Sequence, residues 1–396
     1  MDALTTPSNW QRVKVKDFGI IITGSTPLTQ ISEYWNGTIS WITPTDINDN
    51  KDIFNSERKI TQKGLDTIRM IPKNSVLVTC IASIGKNAIL RVNGACNQQI
   101  NAIIPNKDFN ADFVYYLMEN NKQYLLGKAG VTATYIISKQ VFEEIDFFVP
   151  KDLNEQIAIA NILSDVDRYL YSLDALILKK EGVKKALSFE LLSQRKRLKG
   201  FNQNWQKVRL GDICEIGNGG AYETLIVENG DFKLISLNSI DIDGNLKNTM
   251  KRVNFYDNSL KQDDIVMVLS DVAHGDFLGL CAVIPNNDYV LNQRMGRLRK
   301  KNDCINILFL RLYINANQKY FKMQGQGSSQ LNLSKKAIED FEILLPPLNE
   351  QAAIANILSD VDHEIISLKN KKRQFENIKK ALNHDLMSAK IRVLKK

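Results

Sequence analysis

The chain has 396 residues, of which 44% are hydrophobic and 24% are charged, with 9 prolines and 21 glycines. This balance excludes a small peptide, a disordered chain and a fibrous protein, and the length predicts two or more folded units. Lysine and arginine number 52 against 44 acidic residues, a net charge of +8 that suits contact with phosphates without requiring it.

Taken in chain order, short apolar runs bounded by turn residues predict strands, and longer stretches with helical spacing predict helices. The predicted strands are Ser75–Ile81, Asn101–Pro105, Ile265–Leu269 and Leu280–Ile284. The predicted helices of the same regions are Phe113–Leu126 and Ile307–Phe321. This mixture predicts an α+β fold.

The chain is a tandem duplication. Leu153–Asp167 recurs as Leu348–Asp362 with 14 of 15 positions identical, at an offset of 348 − 153 = 195. The stretches 11–150 and 206–346 share only scattered landmarks, so each half is a variable module followed by a constant segment. We therefore predict four parts: module 1 (residues 1–150), a segment at 151–200, module 2 (201–346) and a segment at 347–396.

Both constant segments have the apolar spacing of one long helix, with Asn154 and Asn349 as predicted N-caps. A rod of some forty residues spans roughly 60 Å and needs its apolar stripe covered. We predict that the two helices pair as an antiparallel coiled coil with a pseudo-twofold internal repeat; the alternative is that each packs separately on its own module. The predicted pairing residues are Leu163, Val166, Leu170, Leu173, Ile177, Leu187, Leu358, Val361, Ile365, Leu368, Phe375 and Leu382.

The same segments contain runs of basic residues. These runs are Lys179–Lys180, Lys184–Lys185, Arg195–Arg197, Lys371–Arg373 and Lys379–Lys380. They either solvate the outer face of a helix or meet a polyanion or the acidic face of a partner.

The sequence predicts no catalytic residue and no metal ligand. Three histidines are too few for the usual histidine-based sites, and neither a phosphate-binding G-x-x-x-x-G-K-[ST] loop nor a G-x-G-x-x-G motif after a strand occurs. Asp46, Glu57 and Lys59 stand in the order that many Mg²⁺-dependent nucleases use, so a metal-dependent nuclease remains an alternative. A coiled-coil scaffold that binds only protein is the other alternative.

Five cysteines without a C-x-x-C pair indicate reduced, mostly buried thiols. No apolar run reaches the roughly 18–20 residues of a membrane-spanning helix, and the first ten residues lack the apolar core of a secretory signal. We expect a cytoplasmic protein.

Module 1 contains five distinctive short motifs: Thr23–Pro27, Glu33–Gly37, Ile39–Ile47, Ala82–Lys86 and Asn97–Pro105. The constant segments open on a proline followed by Glu-Gln, at Pro347–Gln351 and, with two extra residues, at Pro150–Gln156. These motifs resemble the target recognition domains, and the Pro-x-x-Glu-Gln opening of the helical regions, of type I restriction-modification specificity (S) subunits. Module 2 lacks the Tyr-Trp and Ile-Thr-Pro landmarks.

The resemblance implies a non-catalytic DNA reader. Two target recognition domains would each bind one half of a bipartite double-stranded site, and the paired helices would set the gap between the halves. It also implies partners: two methyltransferase (M) subunits that bind S-adenosylmethionine and methylate adenine, and ATP-dependent, Mg-requiring restriction (R) subunits. No cofactor is expected on this chain and no membrane partner.

Polar loop residues of the two modules are the candidate DNA contacts, since base edges are read by hydrogen-bonding side chains. In module 1 they are Thr26, Thr29, Gln30, Thr43, Thr45, Lys86, Asn87, Gln99, Thr132, Thr134 and Tyr135. In module 2 they are Asn238, Ser239, His274, Arg294, Gln326, Ser328 and Gln330. Features shared by modules that read different sequences cannot encode the difference, so Asn97-Gln98 and Asn292-Gln293 are expected to support the fold or to hold the DNA backbone. Gln99 and Arg294 occupy matched places with different side chains and are the clearest specificity pair.

Overall fold

The computed structural model describes residues 7–48, 50–131, 134–272 and 276–393. Within that part of the chain, two α+β modules alternate with two long helices. The long helices α5 (Leu153–Leu192) and α10 (Leu348–Met387) have 40 residues each. Among the described residues no helix is both long and apolar enough to cross a membrane.

Module 1 contains twelve strands and four α-helices in its described part. The strands are β1 (Trp10–Lys14), β2 (Gly19–Thr23), β3 (Trp35–Ile42), β4 (Asp52–Ile53), β5 (Lys59–Ile60), β6 (Ser75–Thr79), β7 (Asn87–Leu90), β8 (Gly94–Cys96), β9 (Ile100–Pro105), β10 (Gly130–Val131), β11 (Tyr135–Ile136) and β12 (Asp146–Pro150). The helices are α1 (Gln62–Leu65), α2 (Ala111–Asn120), α3 (Lys122–Gly127) and α4 (Lys139–Glu144).

Module 2 contains eleven strands and four α-helices in its described part. The strands are β13 (Gln206–Arg209), β14 (Cys214–Asn218), β15 (Phe232–Ile235), β16 (Arg252–Val253), β17 (Ile265–Val268), β18 (Ser270–Val272), β19 (Cys281–Val283), β20 (Tyr289–Leu291), β21 (Met295–Lys300), β22 (Gln330–Asn332) and β23 (Glu342–Leu345). The helices are α6 (Leu210–Ile213), α7 (Ile307–Ala316), α8 (Gln318–Gln324) and α9 (Lys335–Glu339).

The two modules share a topology that could not be recognised from their sequences. In module 1 the larger sheet has the order β2-β9-β6-β7-β4 and a smaller one the order β5-β3-β8. In module 2 the corresponding sheets have the orders β14-β21-β17-β19 and β16-β15-β20. In each module the first strand pairs antiparallel with the last, as β1 with β12 and β13 with β23. The repeat therefore extends through the variable parts of the chain.

Each predicted module helix is interrupted once. The predicted helix Phe113–Leu126 divides into α2 and α3 at Asn121, and Ile307–Phe321 divides into α7 and α8 at Asn317. Both asparagines leave helical geometry and donate a side-chain hydrogen bond to a carbonyl four residues earlier, at Leu117 and Tyr313. Asparagine competes with the helical backbone for hydrogen bonds in this way, which the apolar spacing could not predict.

The chain folds as two compact units that cut across the four predicted parts. Unit 1 comprises residues 1–175 and 370–396, and unit 2 comprises residues 176–369. Each unit therefore contains one module and a length of both long helices.

In unit 1 the two helices run antiparallel. Lys379 pairs with Asp167 at 2.5 Å and Lys372 with Asp174 at 2.6 Å, so residue numbers rise on one helix as they fall on the other. The module core extends onto both helices and includes Ile159, Ala160 and Leu163 of α5 and Leu386 and Met387 of α10.

In unit 2 the helices are also antiparallel, because Lys184 forms an ion pair with Asp362 at 2.5 Å and Lys180 forms one with Glu364 at 2.7 Å. The core of module 2 includes Leu191 and Leu192 of α5 and Ile354, Ala355 and Leu358 of α10. The predicted fold class, α+β modules alternating with long helices that pair antiparallel, is confirmed.

The twelve residues predicted to pair the helices differ in burial. Those that are buried are Leu163, Leu173, Ile177, Leu358 and Ile365. Those that are half-buried are Val166, Leu170, Leu187, Val361, Leu368, Phe375 and Leu382. Leu163 and Leu358 belong to the module cores, so part of the apolar stripe binds a module rather than the opposite helix.

The predicted N-caps are wrong by two residues. Both long helices begin one residue before the asparagine, so Asn154 and Asn349 lie in the first turn. In α5 the side chain of Asp152 accepts the hydrogen bond from the Asn154 amide at 2.9 Å. In α10 the carbonyl of Pro347 accepts from the amides of Glu350 and Gln351. Aspartate is as good a cap as asparagine, so residue type alone could not decide between Asp152 and Asn154 at the start of α5.

Candidate nucleic-acid interface

The repeated Glu-Gln pair at the start of each long helix joins the helix to its module. Gln156 donates to the carbonyls of Asp108 and Pro150 and accepts from the amide of Asn110 at 3.0 Å. In the second copy Gln351 makes the same set of bonds, donating to Cys304 and Pro346 and accepting from Asn306 at 2.8 Å.

The glutamates of these pairs accept from matched tryptophans. Trp10 Nε1 donates to Glu155 at 3.0 Å and Trp205 Nε1 donates to Glu350 at 3.1 Å. The near-identity of the constant segments therefore has a structural cause: these residues fix how each module is mounted on its helix.

A loop of module 1, residues 25–30, is held by two tryptophans of β3. Trp41 Nε1 donates to the carbonyl of Ser25 at 2.9 Å, and Trp35 Nε1 donates to the carbonyl of Leu28 at 3.2 Å. The loop contains three of the candidate DNA contacts. Of these, Thr29 and Gln30 are exposed. The third, Thr26, is half-buried and donates to Gln98 at 2.5 Å.

The local sequence Trp35-Asn36-Gly37 produces the geometry that brings those tryptophans together. The pairing of β3 with β5 is irregular between Trp35 and Ile39, and Asn36 has a left-handed backbone with φ of 60°. A Cβ at Gly37 would lie 2.3 Å from the carbonyl oxygen of Ile60, so only glycine fits there. The two indole rings meet edge to face with centroids 5.1 Å apart.

An open cleft of about 580 Å³ lies beside this loop in module 1. Its lining residues are Thr23, Gly24, Ser25, Asp66, Thr67, Ile68 and Arg69. Arg69 is exposed and forms no ion pair within the described residues, so it adds a positive charge to the cleft. Asp66 is the one carboxylate of the lining, and the lining residues other than Asp66 and Arg69 are uncharged.

A second cleft of about 550 Å³ lies in module 2 and collects three of the candidate contacts: Asn238, Arg294 and Gln330. Lys247 and Asp276 also line it, with Phe277 contributing an aromatic side chain. Sequence reasoning missed Lys247, which precedes no recognisable motif.

Arg294 occupies an unusual position in this cleft. It lies in the turn between β20 and β21 with a left-handed backbone, φ of 68°, and its carbonyl accepts from the amide of Leu269. The side chain is exposed and forms no ion pair within the described residues. A non-glycine residue with this backbone is uncommon and often marks a functional position. Gln99, its matched residue in module 1, is half-buried, and its side-chain oxygen accepts from Asn97 at 3.0 Å.

Asn97 and Asn292, the shared landmarks, have their hydrogen bonds used within the protein. Asn97 accepts from the amide of Gln99, whereas Asn292 accepts from the amide of Tyr222 and donates to Glu223. Both are buried. These bonds agree with the expected supporting role.

Several other candidates have side chains that are already occupied or covered. Asn87 is buried and donates to the carbonyl of Tyr115 at 2.9 Å, and Ser239 is buried in a turn where its hydroxyl accepts from the amide of Ser236. Thr43 donates to Asp46 and lies 2.8 Å from the hydroxyl of Thr45.

The remaining candidates are surface residues or lie outside the description. Those that are exposed are Lys86, Thr134, Tyr135, Gln326 and Ser328. Thr132 and His274 lie outside the described residues.

The carboxylate pattern at Asp46, Glu57 and Lys59 has a structural use. The Asp46 side chain accepts hydrogen bonds from the amides of Thr43 and Glu57, at 2.8 and 2.9 Å, and so closes the loop after β3. Among the described residues no three histidine, cysteine or acidic side chains lie together as a metal site would need.

The cysteines are free, and four of the five are buried: Cys80, Cys96, Cys214 and Cys281. Burial raises the pKa of Cys80, Cys96 and Cys214 to about 12 and raises that of Cys281 as well. A buried thiol that stays protonated at neutral pH is a poor nucleophile and a poor metal ligand. Cys304 is exposed.

The comparisons with known proteins agree with this architecture. A family model described as the type I restriction modification DNA specificity domain matches residues 7–180 and again 202–377. The MjaVIII specificity subunit of Methanocaldococcus jannaschii is 27% identical over 99% of this chain and 95% of its own length. The MjaIX specificity subunit of the same organism is 31% identical, but the match covers 54% of this chain and 53% of that relative.

One solved structure extends the likeness to the whole fold. The crystal structure of the type I restriction-modification S subunit from M. genitalium has a TM-score of 0.63 and 18% identity, covering 97% of both chains. The two modules on paired helices thus define a fold that is found in specificity subunits.

The chain belongs to the type I restriction modification DNA specificity domain family, with two copies of the domain. It is a specificity subunit, whose role is recognition of DNA sequence and not catalysis. The predicted family and function are confirmed.

Proposed function

We propose that the chain reads a bipartite double-stranded DNA target, with module 1 on one half-site and module 2 on the other. The observation that supports this most is that the two modules have a common topology but carry different polar side chains at equivalent positions. After the same Asn-Gln step, module 1 has Gln99 and module 2 has Arg294. Glutamine suits adenine and arginine suits guanine, so equivalent places would read different bases.

The proposed contact set follows the exposed candidates. In module 1 these are Thr29, Gln30, Thr45, Lys86, Thr134 and Tyr135, and in module 2 Asn238, Arg294, Gln326 and Ser328. Thr26, Gln99 and Gln330 are half-buried and complete the set. Asn87 and Ser239 are left out because both side chains are buried.

The partners we propose are two methyltransferase subunits and the restriction subunits of a type I enzyme, in the cytoplasm. The methyltransferase subunits would supply S-adenosylmethionine and the restriction subunits ATP and Mg. The specificity subunit would position both on the target, and the continuous 40-residue helices α5 and α10 would set the gap between half-sites.

Single-molecule methylation mapping of the host genome tests this proposal directly. The expected result is a bipartite adenine-methylated motif that disappears when the gene for this chain is deleted. Replacing module 2 by that of a relative should change one half of the motif and leave the other half and the gap unchanged. An unchanged methylome after deletion would contradict the proposal.

Two binding assays separate the alternatives. A protein that only scaffolds other proteins would show no salt-dependent affinity for duplex DNA when purified with its partners. A nuclease would cut duplex in a metal-dependent way as the isolated chain. Salt-dependent duplex binding without cleavage is the expected outcome.

A further inference from the structure

Arg58 lies against the two tryptophans that hold the 25–30 loop of module 1. Its guanidinium carbon is 4.1 Å from the ring centroid of Trp35 and 4.8 Å from that of Trp41. Such cation–π contacts orient the planar guanidinium on the rings and leave its edge, with its donors, free.

The charge on Arg58 is not neutralised within the described part of the chain. The residue is exposed, no carboxylate pairs with it, and its guanidinium donates no hydrogen bond to a described residue. Most other arginines of module 1 are occupied: Arg12 pairs with Asp146, and Arg91 pairs with Asp52 and Asp112. An oriented arginine with unused donors suits a ligand that presents two acceptor atoms.

The backbone around Arg58 keeps it in place. Its carbonyl accepts from the Ser56 hydroxyl at 2.6 Å and from the Trp41 amide at 3.3 Å, and β5 starts at the next residue. Trp35 and Trp41 also donate hydrogen bonds to the carbonyls of Leu28 and Ser25. The same two indoles therefore position both the guanidinium and the 25–30 loop.

In module 2 the amide of Leu234 donates to the carbonyl of Lys251, as the amide of Trp41 donates to that of Arg58, so Leu234 and Lys251 take the places of Trp41 and Arg58. Among the described residues of module 2, no arginine stacks on two tryptophan rings. A feature confined to one module can contribute to what that module alone recognises.

We propose that Arg58 is a DNA contact of module 1, in which the guanidinium held by Trp35 and Trp41 binds two acceptor atoms of the duplex. These atoms are either two oxygens of a backbone phosphate or O6 and N7 of a guanine, both of which match the arginine fork. This inference rests on the proposed function, because it assumes that module 1 binds one half-site.

The test uses the full chain, purified with its methyltransferase subunits, and duplexes that carry the mapped motif or a change at each position of the module 1 half-site. Arg58→Ala is compared with wild type and with Arg12→Ala, which removes the same charge from an arginine that already has a carboxylate partner. We expect Arg58→Ala to weaken binding about 5- to 150-fold and Arg12→Ala to leave it within about twofold.

The pattern of loss identifies the acceptor. A phosphate contact predicts the same loss on every duplex and a decrease of about one in the slope of log affinity against log salt. A guanine contact predicts that discrimination disappears at one position of the module 1 half-site. Arg58→Lys keeps the charge but not the fork, so it should preserve most of a phosphate contact and little of a guanine contact.

Two results would overturn the inference: wild-type affinity in Arg58→Ala, or a loss no larger than that of Arg12→Ala. If the alanine variant does not fold, Arg58→Gln, which keeps a planar amide beside the indoles, is measured by the same criteria. A folded wild-type complex that binds none of the duplexes would contradict the proposed function itself, a different outcome from selective failure of Arg58 variants.

Discussion

Arg197 and Glu350 form a bidentate ion pair, with Nε and Nη2 of the arginine donating to the two carboxylate oxygens at 2.9 and 2.7 Å. The carboxylate is fully buried and also accepts from Trp205. The pair connects the segment after α5 to the first turn of α10, 153 residues further along the chain. Two copies of the constant segment thus meet within unit 2.

We expect Glu350→Ala to destabilise unit 2 by about 3–5 kcal/mol, because it leaves a partly buried guanidinium and an indole donor without their acceptor. Hydrogen exchange of peptides in β13 and the first turns of α10 would measure the local loss of protection. Glu155→Ala is the matched control, measured on peptides of β1 and the first turns of α5, since Glu155 accepts from Trp10 and Asn9 but forms no ion pair among the described residues. Equal losses in the two variants would contradict the role given to the ion pair.

The thiols provide a second prediction. Since burial raises the pKa of four cysteines and removes them from solvent, an aromatic disulfide reagent at pH 8 should modify one thiol, Cys304, in the native chain. All five should react after unfolding. Cys304→Ser should abolish the native reaction, and rapid modification of a second thiol in that variant would show that the core opens more readily than the structure indicates.

Much of the fold was predictable because the constant segments repeat. The 14 of 15 identities at Leu153–Asp167 and Leu348–Asp362 indicated the two helices and their equivalence, and the structure shows what the repetition preserves: the bonds of Gln156 and Gln351. The common topology of the modules was hidden, since different apolar residues can fill the same sheet positions.

The candidate interface was less predictable, because burial of a polar side chain depends on contacts far along the chain. Asn87 reads as a loop residue after Gly85-Lys86, yet its amide is buried against Tyr115 of α2. Arg58 was missed for the opposite reason: its importance lies in stacking on Trp35 and Trp41, and no spacing rule connects those three positions.

Tertiary contacts also decide which basic residues of the long helices are ion-paired. Lys184 and Lys379, which stand 195 residues apart, pair with Asp362 and Asp167, themselves 195 apart. These two lysines therefore neutralise carboxylates of the opposite helix, and their charges are not free to bind a polyanion.

Arg294 provides a specificity prediction in module 2. Arg294→Ala should weaken or relax only the half-site read by module 2, by about 1–3 kcal/mol at the position it reads. Arg294→Gly is the second variant, because glycine removes the side chain while accepting the left-handed backbone at this turn. Both variants should have the same selectivity in binding assays on substituted duplexes; a uniform loss across sequences would mark Arg294 as a phosphate contact.

The helices provide the final prediction, which concerns the gap between half-sites. Ion pairs Lys184–Asp362 and Lys180–Glu364 indicate that residues 177–183 of α5 face residues 363–369 of α10, so deleting both blocks keeps the helices in register. Each deletion removes seven residues, about 10 Å of helix, and should shorten the recognised gap by up to about three base pairs. Methylome sequencing of cells with the shortened chain would report the gap and both half-sites together.

The control for that experiment deletes residues 177–183 alone, which moves Lys184 away from Asp362 and should destabilise unit 2 without defining a new gap. The matched double deletion should keep each half-site sequence, because no residue of either module changes. A methylated motif with its original gap after the double deletion would exclude the helices as the element that sets the spacing.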